Sequence, residues 1–136
     1  MKMRQGTTAW FEMAEQMMLD AAANAGLATD LNFTLIERYT DGTMTADGLL
    51  PGIRFDIVNG RSSFRTGVHP DERGDVPIEI TSAAARTLNL LRSADPEYQR
   101  ALQHMRGSGE MRVDGDSTRL GHWLEAVHDP IVDRTE

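Results

Sequence analysis

Apolar residues along this chain recur with two different periods, and the switches between them divide it into elements. Trp10, Met13, Ala14, Met17, Met18, Ala21 and Ala25 fall on one face at helical spacing. Thr7 or Thr8 is placed to cap this helix and Gly26 to end it. Asn32 to Thr40 reads as a strand, with Phe33 and Leu35 on one side and Ile36 on the other, closing at Asp41-Gly42. Thr43 to Gly52 holds the turn signals Asp47-Gly48 and Pro51-Gly52 and is expected to be an irregular connection. Leu49 and Leu50 within it either anchor the loop to the core or roof a cavity mouth. Ile53, Phe55 and Ile57 then alternate with Arg54 and Asp56, Asn59-Gly60 supplies a two-residue turn, and Ser62, Phe64, Thr66 and Val68 alternate on the way back. That pattern predicts a β-hairpin.

The second half is read just as directly. His69 to Asp75 is charged and rich in turn formers, and Pro77 sits where a strand can begin. Ile78 and Ile80 alternate with Glu79, and Thr81 or Ser82 can cap a helix whose Ala84, Leu88 and Leu91 share a face. Asp95 followed by Pro96 opens a further helix with Tyr98, Ala101, Leu102 and Met105 on one stripe, stopped at Gly107. Met111 and Val113 alternate with Glu110 and Arg112 as another strand. The turn Asp114-Gly115-Asp116 leads to a last helix, capped by Asp116 or Ser117, with Leu120, Trp123, Leu124 and Val127 on one face. Strands in runs, flanked by helices without steady alternation, predict an α+β fold with about five mainly antiparallel strands covered by helices.

The order strand, two helices, Gly-x-Gly, strand, Gly-Asp, helix resembles the sterol carrier protein type 2 family. The resemblance is carried by Val76-Pro77-Ile78-Glu79-Ile80-Thr81 leading into helices, followed by Gly109-Glu110-Met111-Arg112-Val113-Asp114-Gly115-Asp116. It implies a single sterol-carrier-like domain over residues 1–136, in which a curved sheet under helices encloses an apolar tunnel for sterols, fatty acids, acyl-CoA esters or phospholipids. The family has no fixed set of catalytic residues, so the resemblance implies a fold and a cavity rather than a reaction. Because the chain stops soon after Val127, the tail that closes such tunnels is expected to be short.

Composition narrows the function classes. A chain of 136 residues buries enough surface to fold as one domain without staples. It contains no cysteine, which excludes disulfides, thiolate zinc sites and cysteine nucleophiles and favours the cytoplasm. No apolar run approaches the roughly 20 residues of a membrane span, and no hydrophobic signal segment opens the chain. A net charge of −7 disfavours nucleic acid and anionic membrane surfaces as partners. Met17 and Met18 belong to a set of eight methionines, residues that adapt to irregular apolar shapes in a core or against a ligand.

Candidate chemistry is sparse. His69, His104, His122 and His128 show neither H-E-x-x-H nor an i, i+4 pair, so no metal and no cofactor is expected. His128-Asp129 is either a general-base pair or, preferably, a helix end ahead of Pro130. Gly107-Ser108-Gly109 follows a helix rather than preceding one and reads as a stop, not a phosphate loop. No serine lies within G-x-S-x-G. The expected partner is therefore an apolar or amphipathic small molecule, lipid, fatty acyl or sterol-like. It would be held by Phe55, Phe64, Ile80, Leu88, Leu91, Leu102, Met105, Met111, Trp123 and Leu124, each of which also reads as a core position. Two alternatives stand beside this: an isomerase or cyclase using the same cavity, with His104, His128 or a buried aspartate as acid or base, and an accessory or oligomerisation module.

Overall fold

The computed structural model describes residues 1–136, apart from the side chains of Ser117 and Leu120. In chain order the elements are α1 (Thr8–Asn24), β1 (Phe33–Tyr39), β2 (Leu50–Val58), β3 (Arg61–Val68), β4 (Val76–Ile80), α2 (Ser82–Leu88), α3 (Pro96–Ser108), β5 (Met111–Val113), a 3-10 turn (Ser117–Leu120), α4 (Trp123–Ala126) and α5 (His128–Asp133). The strands form one sheet in the order β3-β2-β1-β4-β5. Only β1 and β4 run parallel; the other three pairings are antiparallel. The fold is α+β, as the pattern predicts.

Local chemistry sets the boundaries. Thr7 accepts from the Trp10 N–H at 3.2 Å, Thr81 from that of Ala84 at 3.1 Å and Asp95 from that of Glu97 at 2.9 Å, each satisfying an N–H that the first turn leaves free. The hairpin turn has positive φ at both central residues, 51° at Asn59 and 76° at Gly60, the geometry whose twist matches that of the flanking strands. Its amides also reach across to the segment before β1: Asn59 N–H donates to Asn32 Oδ1 and Gly60 N–H to the Leu31 carbonyl, both at 3.0 Å.

The helices cover the sheet face that carries Phe33, Leu35, Phe55, Ile57 and Ile80, all in one core with Trp10, Met13 and Met18 of α1. The opposite face, which buries Ile36 and Val68, is closed by the loop His69 to Asp75. Glu72 of that loop binds Arg54 at 2.5 Å, Arg65, and the His69 N–H at 2.8 Å, while buried Arg38 donates to the His69 and Glu72 carbonyls. Near the two ends of the chain, Met3 forms a parallel bridge with Thr135. Met3 N–H donates to the Arg134 carbonyl at 2.7 Å, Glu136 N–H to the Met3 carbonyl at 2.9 Å, and Trp10 Nε1 to Thr135 Oγ1 at 3.0 Å.

Several sequence expectations need correction. β2 starts at Leu50, so the connection before it is shorter than Thr43 to Gly52, and the β2–β3 register shifts between Leu50 and Ile53. α2 ends at Leu88, leaving Leu91 beyond it, and α3 continues through Gly107 to Ser108, where Gly109 at φ 85° caps it. Phe11 joins the buried face of α1, and Ala25 is its exposed C-cap residue. The single final helix is instead three short pieces: Gly121 at φ 86° separates the 3-10 turn from α4, and Val127 stands between α4 and α5. Asp116 caps the first of them through the Thr118 N–H; the Leu120 side chain lies outside the described residues. A helix does end ahead of Pro130, α4 at Ala126 with Val127 as its C-cap, but a further helix follows at once. His128 opens α5 and Pro130 lies in its first turn, where a missing N–H costs nothing.

Candidate functional site

Glu37 lies directly opposite Ile53 on β2 and Ile78 on β4, so the three side chains stand in a row across the middle of the sheet on its helix-covered face. Above that row is a cavity of about 440 Å³. Its floor is Leu35, Glu37, Ile53, Ile78, Met111 and Val113. Its roof is Trp10, Ala14 and Met18 of α1, Leu102 and Arg106 of α3, Leu124 and Glu125 of α4, and Val127, His128 and Ile131 around α5. A smaller recess of about 140 Å³ shares Glu37, Ile78, Asn89, Leu102, Met111 and His128 with it and extends to Ile80, Ala85, Leu88 and Tyr98. The two chambers thus meet over Glu37.

The polar groups of this space divide by position. Arg106 and Glu125 are exposed and stand at its margin. His128 is half-buried, its Nε2 within 2.8 Å of the Leu91 carbonyl and its ring 4.6 Å from that of Tyr98. Asp129 turns away to accept from Ser93 N–H and Oγ at 2.7 and 2.8 Å, so the general-base pair suggested by their adjacency does not form. These two hydrogen bonds hold the Asp129 carboxyl below the usual carboxylate range. Glu37 is different. Burial pushes its carboxyl up to about 7, a rise partly offset by hydrogen bonding from the Tyr39 hydroxyl two residues along the same face. Tyr39 in turn accepts from Gln5 Nε2 at 2.7 Å, and burial, reinforced by the Glu37 charge, keeps its phenol protonated well beyond the usual range.

Of the residues singled out from the sequence, Leu102, Met111 and Leu124 line the main cavity, and Ile80 and Leu88 line the recess. Phe55 and Met105 are packed in the filled core instead, and Phe64 lies half-buried against it. Leu91 contributes its backbone carbonyl to His128. Trp123 is only half-buried, short of the burial its stripe suggests, because α4 is a single turn. Its ring lies 5.7 Å from Phe55, and its buried Nε1 has no hydrogen-bond partner among the described residues. It borders a shallower depression of about 310 Å³ with Met17, Ala21 and Pro130. His104 is exposed, 3.6 Å from Glu110. The acid in the cavity floor is a glutamate, not an aspartate, and period-two counting from Phe33 and Leu35 already puts Glu37 on their face. The α1 residues of the roof were legible as an apolar stripe but not as cavity walls.

No family model and no curated protein sequence matches this chain. Solved structures do. Sterol carrier protein 2 superposes with a TM-score of 0.53 at 12% identity, covering 98% of this chain and 100% of that one. A sec-alkyl sulfatase double mutant matches at 20% identity and a TM-score of 0.49 over 88% of this chain, which spans only 16% of the sulfatase. A protein of Thermus thermophilus described as possibly a sterol carrier protein matches at 13% identity and a TM-score of 0.46, covering 96% of this chain and 87% of that one. The chain has the sterol carrier protein 2 fold.

Proposed function

We propose that this chain is a small binding domain that takes an apolar or amphipathic molecule, lipid, fatty acyl or sterol-like, into the cavity between its sheet and helices and releases it unchanged. The observation that carries this reading is the 440 Å³ chamber, with a size within the range of small-molecule sites, walled mainly by apolar side chains from both layers. The fold shared with a protein named for carrying sterols supports it. Binding would come from apolar area removed from water, at roughly 25 cal/mol per Å². The absence of cysteine from the sequence is the ground for placing it in the cytoplasm.

The test is titration with the uncharged fluorophore N-phenylnaphthylamine, followed by displacement with unlabelled lipids. Saturable binding at about micromolar concentration, little changed between about 50 and about 500 mM salt, is the expected outcome. Ala14, 1% exposed and part of the roof, is the position to fill: Ala14→Phe should weaken binding while circular dichroism stays native. Absence of saturable binding, or binding indifferent to a folded Ala14→Phe, would sink the reading.

A further inference from the structure

We propose that Glu37 makes the cavity selective for apolar molecules bearing an uncharged hydroxyl, such as long-chain alcohols, over those bearing a carboxylate. The proposal rests on the binding reading above and adds to it the class of head group. Glu37 stands on the central strand, between Ile53 and Ile78, where no cation shares its row. The rest of the sheet floor is apolar. Tyr39 supplies one hydrogen bond to this carboxyl, so whatever fills the chamber must supply the remaining partners or leave part of a desolvated polar group unpaired. With its carboxyl titrating near 7, Glu37 exists around neutrality in both forms. A hydroxyl serves either form, donating to the carboxylate and accepting from the acid. A ligand carboxylate serves only the protonated form, since two adjacent carboxylates need a shared proton.

Other groups around the chamber bear on the charge of a ligand. Arg106 faces it from α3, Glu125 from α4 and His128 from α5, while Tyr98 borders the recess and Tyr39 adjoins Glu37 on β1. Arg106 offers a carboxylate a different seat at the margin, but that pose lays alkyl chain against Glu37. His128 keeps Nε2 on the Leu91 carbonyl.

The experiment displaces N-phenylnaphthylamine from the full chain with dodecanol and with dodecanoate, which differ only in the head, across a pH series. Dodecanol affinity should hold within about twofold, whereas dodecanoate affinity should fall about tenfold per pH unit above about pH 7, the slope of one linked proton. Glu37→Gln, which keeps the shape and removes the charge, should abolish that fall and narrow the gap between the two ligands. If dodecanoate binding ignores pH, or falls equally in Glu37→Gln, the inference fails and the head is read by Arg106 or His128. The two ligands binding alike at every pH removes this inference alone; neither ligand displacing the fluorophore removes the binding reading with it. The wild-type pH series stands whether or not the variant folds.

Discussion

Two carboxylates on opposite faces of the sheet make opposite contributions to stability. Glu37 titrates near 7 in the folded chain against 4.5 ordinarily, so the unfolded chain gives up this proton first. Its effect is absent below about pH 4.5, grows as pH rises, and levels off above about pH 7 as a destabilisation of about 3 kcal/mol. Glu37→Gln should therefore match wild type at about pH 4 and exceed it by roughly 2 to 3 kcal/mol at about pH 8, read from urea unfolding at each pH. Equal stabilities at the higher pH would show that Glu37 is well solvated. Glu72 has the reverse sign. Burial would raise its carboxyl, but the His69 N–H, Arg54 and Arg65 outweigh that and lower it to about 2. Its stabilisation is present above about pH 4.5 and lost as pH falls towards about 2. Strand parity is the signal that could have singled out Glu37, an acid at an inward position of an otherwise apolar face, where histidines and a buried aspartate were the candidates instead. Glu72 sits in an aperiodic loop, and nothing in its neighbours announces that three arginines converge on that loop.

At the level of elements, the sheet depends on a close backbone approach. A Cβ added at Gly52 would lie 2.1 Å from the Glu37 carbonyl oxygen, and φ there is 156°. Gly52→Ala must push β2 away from β1 and should cost more than about 2 kcal/mol in chemical denaturation, beyond the range of ordinary surface substitutions. A loss under about 0.5 kcal/mol would mean that the pairing tolerates the displacement. The elements that were legible, the β2–β3 hairpin, β4 and the capped α3, are those in which turn chemistry, capping and periodicity coincide over a few residues. The parallel pairing of β1 with β4 was not, since it joins segments separated by a whole hairpin. The end of the chain misled for a different reason. Leu124 and Val127 keep helical spacing with Trp123, but that spacing survives a break at Gly121 that reorients the next turn. Cavity and core could not be separated either: Met105 and Leu102 share one stripe of α3, and only the position of the sheet beneath decides which faces empty space.

As a whole the molecule is a floor of strands under a roof of helices, and the roof is not uniformly fastened. α2 and α3 each begin on a side-chain cap, Thr81 and Asp95, whereas α4 and α5 begin without one. α5 is held at its start by His128 on the Leu91 carbonyl and Asp129 on Ser93, and just beyond its end by the bridge between Met3 and Thr135, with Thr135 Oγ1 also donating to the Ile131 carbonyl at 2.7 Å and accepting from Trp10. Breaking that small knot at the far end of α5 loosens the stretch of roof carrying Ile131 without disturbing a single sheet pairing. Such a patch is suited to be the first cooperative unit to open, well below the cost of global unfolding. Hydrogen exchange should then show the amides of Met3, Thr135 and Glu136 exchanging as a set with the α5 amides, faster than those of β1, and slowing together when the chamber is filled. Independent exchange of the two ends would mean the roof does not open there. If they move together, the molecule has a doorway latched by the Met3–Thr135 bridge, and the rate at which the proposed ligand comes and goes is set by that latch rather than by the chamber itself.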